Sequence, residues 1–190
     1  MRKLLYAFGL TSALVFALAA HAAAPNFAGT WTLDKSKSQG LNPRLQNAES
    51  VSWVVTQTEK EITLDEKITG GGGQGGPGGP PGGAPGAGGG QGGGGRGMMG
   101  PQGPRTFNLD GSETTGDTGR GKFVRKATLS SDGKTLELVT KATFQTPDGN
   151  EITTTSSDKL SLSADGKVLT VVRHSESPRG AQDSTLVFNK

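Results

Sequence analysis

At 190 residues and without a cysteine, the chain has room for one ordinary domain, held by packing rather than by disulfide cross-links. Twenty basic residues oppose 17 acidic ones, for a formal net charge of +3. That is a poor footprint for nucleic acid, which gathers basic side chains on one face. Aromatic residues make up 5% of the chain, too few for the two girdles of a membrane-spanning barrel.

The N-terminus reads as an export signal. Arg2 and Lys3 precede a mostly apolar run from Leu4 to Ala20, and Ala20-His21-Ala22 supplies a small-x-small cleavage site. Residues 1–22 are therefore expected to be a signal peptide, with a mature chain of 23–190 that is periplasmic or secreted. The apolar run falls short of the roughly 20 residues a span needs, so no membrane span is expected in the mature chain. No cysteine follows to carry a lipid anchor. The signal holds two of the 20 basic residues and no acidic one, which leaves 18 against 17.

Phe27, Gly29, Trp31 and Leu33 alternate with Ala28, Thr30 and Thr32, which predicts a first strand with its large residues on one face. Gly29 on that face predicts a bend or a close neighbour. A loop follows to Asn47, with Gly40 and Pro43 and room for one helical turn. Alternation predicts strands over 51–58 and 61–68, joined by a tight turn at Glu59-Lys60.

Residues 70–103 are 34 in number, of which 21 are Gly and five are Pro. Such a segment cannot bury enough apolar surface to offset the entropy of ordering, so it is expected to be a disordered insertion in the domain. Its glycines do not keep the three-residue period of collagen, and Arg96 stands alone where an RNA-binding Arg-Gly tract needs repeated arginines.

Strands are predicted over 105–109, 122–129, 134–146, 150–163, 167–176 and 182–189, with 114–121 a Gly-rich polar connection. Three Asp-Gly hinges, Asp132-Gly133, Asp148-Gly149 and Asp165-Gly166, mark hairpins, because Gly accepts a positive φ and Asp tolerates one. Ser130-Ser131-Asp132-Gly133-Lys134-Thr135-Leu136 recurs as Ser163-Ala164-Asp165-Gly166-Lys167-Val168-Leu169, one hairpin unit used twice. Eight or nine antiparallel strands linked by short turns expose edges unless the sheet closes, so the expected architecture is an all-β, up-and-down antiparallel barrel.

Three stretches carry a resemblance. Gly29-Thr30-Trp31, within Gly29 to Ser38, resembles the Gly-x-Trp opening of lipocalin-like barrels. With Asn108 to Thr115 and Leu160 to Lys167, it is similar to small secreted bacterial lipocalin-like β-barrel proteins of unknown function. The resemblance implies a barrel fold and carries no catalytic residues.

Patterns that could bear chemistry are few. Gly116 to Lys122 has the glycine and lysine spacing of a phosphate-binding loop, but Phe123 stands where Ser or Thr should hold magnesium, and a strand follows instead of a helix. Asp110, Glu113 and Asp117 match no calcium loop and read as solvated turn residues. His174, the only histidine after residue 22, has no second histidine or cysteine for zinc and no motif around a serine, and reads as an exposed strand residue. No metal, cofactor or catalytic residue is expected, and no enzyme. The remaining candidates are aromatic: Trp31, Trp53, Phe123 and Phe144 could line a pocket for a small apolar or amphipathic ligand, or could be core. Two readings therefore stand. One is an exported, non-enzymatic barrel that binds such a ligand. The other is an envelope structural or interaction protein with a filled core and a glycine-rich loop that meets a protein partner the sequence does not name.

Overall fold

The computed structural model describes residues 25–70, 103–117, 121–146 and 149–190. The expected signal peptide, Asp148 of the second hinge, and all but the two ends of the Gly/Pro insertion lie outside the described residues.

The described residues form ten strands: β1 (Gly29–Leu33), β2 (Ser50–Gln57), β3 (Glu61–Thr69), β4 (Arg105–Asn108), β5 (Thr114–Asp117), β6 (Gly121–Leu129), β7 (Thr135–Gln145), β8 (Glu151–Leu162), β9 (Val168–Ser177) and β10 (Gly180–Asn189). One five-residue helix, α1 (Pro43–Asn47), follows β1. All ten strands belong to one antiparallel sheet in the order β4-β3-β2-β1-β10-β9-β8-β7-β6-β5. The first strand closes onto the last, since Leu33 pairs with Phe188 while Trp31 pairs with Trp53 on β2. The edges β4 and β5 lie side by side without ladder hydrogen bonds. The result is a nearly closed, all-β antiparallel barrel with one seam.

Among the described residues ten strands are present where eight or nine were expected. The extra one is β5, inside the stretch that its glycines made look like a loop. Gly116 and Gly121 are strand residues that leave room for close neighbours. A Cβ on Gly116 would meet the Phe123 ring at 2.3 Å, and one on Gly121 would meet the Thr143 carbonyl oxygen at 2.1 Å. Lys122 likewise sits on a strand, paired with Asp117, where a phosphate-binding loop requires a helix.

The repeated hairpin unit folds the same way twice. Ser130 Oγ donates to Asp132 Oδ1 at 2.5 Å and accepts from Thr135 N at 2.9 Å. Ser163 Oγ donates to Asp165 Oδ1 at 2.6 Å and accepts from Val168 N at 2.9 Å. Gly133 and Gly166 take φ of 70° and 67°, which a side chain would strain. In α1, the Asn42 side chain caps the helix by accepting from Leu45 N at 2.9 Å, and Pro43 starts the first turn where its missing N–H costs nothing.

The expected alternation places the core. Phe27, Trp31, Trp53, Ile62, Leu64, Phe107, Leu136, Leu160, Leu169, Val171, Leu186 and Phe188 are each at most 1% exposed. Each fully buried Val, Leu, Ile or Phe contributes roughly 1.5–3 kcal/mol. Gly29 does mark a close approach: its φ is 146°, and a Cβ there would meet Lys190 Cε at 3.0 Å.

Candidate functional site: a charged layer inside the barrel

The inward face is not uniformly apolar. Along the hydrogen-bond direction, Leu136, Leu160, Val171 and Leu186 form one row across β7 to β10. The next row is Ala127, Leu138, Asp158, Arg173 and Ser184. The row beyond it is Thr114, Arg125, Thr140, Ser156 and Ser175. Farther toward the β7–β8 turn come Phe123 opposite Ala142, then Phe144 opposite Ile152, with Phe123, Phe144 and Ile152 only partly buried. A buried apolar base thus gives way to a charged layer, and that layer to a partly buried, partly aromatic end.

Asp158 is the centre of the layer and is 2% exposed. Arg173 Nε donates to its Oδ1 at 2.6 Å and Nη2 to its Oδ2 at 2.9 Å, the fork geometry that suits a carboxylate. Arg105 adds a second guanidinium, Nη1 at 3.5 Å from Oδ2. Burial pushes the Asp158 carboxyl up, but the two arginines outweigh it and hold the group below its ordinary range. Burial likewise works against the charge on Arg173, and Asp158 more than restores it. Trp53 lies beneath both guanidinium groups, with ring-centre distances of 5.7 Å from Arg105 and 5.6 Å from Arg173. Its indole N–H donates to Glu66 Oε2 at 3.0 Å.

Arg125 is the member left over. It is 5% exposed, its Nε has no hydrogen-bond partner, and among the described residues it has no ion pair. Its guanidinium stacks 3.9 Å from the centre of the Phe123 ring and reaches 5.9 Å from Phe107 across the seam. Burial first, and the charge of Arg105 second, push its pKa below the arginine norm. Stacking on an aromatic face offsets part of the cost of burying a charge without a partner. Thr114, paired with Arg125 on β5, also has a buried hydroxyl oxygen without a partner.

The four aromatic candidates divide between two places. Trp31 and Trp53 are neighbours on β1 and β2 and are wholly buried. Trp31 donates to the Phe27 carbonyl at 2.8 Å, and Trp53 packs on Phe188 at 4.8 Å between ring centres. Phe123 and Phe144 lie on β6 and β7 toward the partly aromatic end. His174 is exposed, with Nδ1 2.6 Å from Asp183 and Nε2 3.3 Å from Glu176. Those two hydrogen bonds raise its pKa, Asp183 first. Asp110 caps its own turn through Ser112 at 2.8 Å.

The charged layer was not among the residues that the sequence singled out. Its signal was present in the alternation: Asp158 shares a parity with Ile152, Leu160 and Leu162, Arg173 with Leu169 and Val171, and Arg125 with Phe123 and Ala127. A charge on the inward parity of a strand marks a buried ionic group.

No protein-family model and no curated protein matches the chain. Among solved structures it is similar to a zebrafish ileal bile acid-binding protein complexed with cholic acid, at 13% identity and a TM-score of 0.43. That match covers 86% of this chain and 98% of the other. Among the described residues, no helix is long and apolar enough to cross a membrane.

Proposed function

We propose that this protein is an exported, non-enzymatic barrel that binds a small amphipathic molecule at the partly aromatic end above its charged layer. The observation that carries the reading is the order of the inward rows: a buried apolar base, a layer of three guanidinium groups against two carboxylates, then partly exposed Phe123, Phe144 and Ile152. Such a gradient suits a ligand with one polar and one apolar end. Phe123 and Phe144 are the aromatic candidates within reach of that ligand. Trp31 and Trp53 serve it as packed support, since both are 0% exposed. Export to the periplasm or beyond rests on Arg2, Lys3, the apolar run and Ala20-His21-Ala22.

The filled base favours the second reading, an envelope structural or interaction protein. Native mass spectrometry of the protein purified from its own compartment separates the two. A bound small molecule is the expected result, and a clean apo mass overturns the ligand reading. N-terminal sequencing of the same sample, beginning near Ala23, tests export.

A further inference from the structure

We propose that Arg125 and Thr114 form an anion site inside the barrel, which takes the carboxylate end of a singly charged amphiphile whose apolar body lies along Phe123 and Phe144. This deepens the ligand reading above and rests on it for the apolar body alone.

Two observations point to the head group independently. The buried Arg125 has an Nε–H with no acceptor, and the Thr114 hydroxyl oxygen, opposite it on the neighbouring strand, is also buried and unpartnered. Buried polar groups are nearly always satisfied, so two orphans on paired residues mark a place where a partner is missing. The charge count agrees. Arg173 and Arg105 share Asp158, and Trp53 holds Glu66 close enough for its charge to act on Arg173. Among the described residues of the layer one positive charge remains, on Arg125, so the complement is a single negative charge. The free edge of a guanidinium offers parallel N–H donors that fit a carboxylate, and a threonine hydroxyl can donate to the same group. The Phe123 ring under the guanidinium fixes its plane at 3.9 Å and starts an apolar path that Phe144 and Ile152 continue toward solvent.

The test uses the purified full-length protein and three probes: butyrate, octanoate and 1-octanol. In wild type, butyrate and octanoate should move the Arg125 Nε–H resonance saturably in proton–nitrogen spectra. Octanoate should bind at least about tenfold tighter than octanol, the scale of one charge-assisted hydrogen bond. Arg125→Met should bring that ratio to about one while octanol affinity stays within about twofold, and Arg125→Lys should keep part of the preference. Equal binding of octanoate and octanol, unchanged in Arg125→Met, overturns the anion site and leaves the amphiphile reading intact. Arg125-dependent binding of butyrate and octanoate with equal affinity supports the anion site and overturns the apolar body. An Arg125 resonance that neither acid moves overturns the site outright. This readout needs no variant to fold.

Discussion

Arg173 grips Asp158 through two parallel hydrogen bonds of 2.6 and 2.9 Å, inside a barrel wall where the carboxylate is 2% exposed. Arg105 approaches the same carboxylate at 3.5 Å from β4, a strand far from β8 in the sheet order. The ion group therefore ties one side of the barrel to the other across the interior.

Removing one member should be worse than removing the pair. Asp158→Leu leaves two guanidinium groups without their acceptor and should cost roughly 3–5 kcal/mol of unfolding free energy. Adding Arg173→Leu should restore part of that loss, because an apolar pair needs no desolvation. A double-mutant cycle in urea checks it, and strict additivity of the two changes would contradict the coupling.

The glycines of the β5–β6 region should differ in tolerance. Gly121→Ala drives a Cβ toward the Thr143 carbonyl oxygen and the Phe144 Cα, both backbone, and should cost roughly 1–3 kcal/mol. Gly116→Ala meets the far edge of the partly exposed Phe123 ring, which can swing aside. It should cost less and should reset the Phe123 ring resonances. Thermal melts and aromatic proton spectra report both.

Asp34 should give an acid-dependent advantage over its amide. Its Oδ1 accepts from Ser36 Oγ at 2.6 Å and its Oδ2 from Asn189 at 3.2 Å, with Lys37 3.1 Å away. Ser36 first, then Lys37 and Asn189, hold the carboxyl far below its ordinary value of 3.8. A depressed folded pKa adds stability that is present above about pH 3.8 and fades as pH falls toward the lower folded value. Wild type should therefore exceed Asp34→Asn at pH 6, with the gap closing below pH 3.8. Urea midpoints across that range read it, and a gap that persists in strong acid would contradict it.

The twin hairpin serines should behave alike. Ser130→Ala and Ser163→Ala each remove one hydroxyl that both donates to a turn aspartate and accepts a backbone N–H. Each should cost about 1 kcal/mol, the usual worth of such hydrogen bonds. Chemical denaturation compares them directly, and a difference above about 1 kcal/mol would show that the two turns carry unequal load.

Nine of the ten strands, the tight turns and the inward parity were legible from residues 27–190, because a half-buried strand must alternate and Asp-Gly must turn. β5 was not legible. A glycine that makes room for Phe123 looks the same in a sequence as a glycine that makes a loop. How the inward residues combine into a site was decided by tertiary structure. Local pattern assigns Asp158, Arg173 and Arg125 to the inner face, but only barrel closure brings Arg105 to Asp158 and leaves Arg125, among the described residues, without a carboxylate. Charge balance in a buried layer is a property of strands distant in the chain, and no local window contains it.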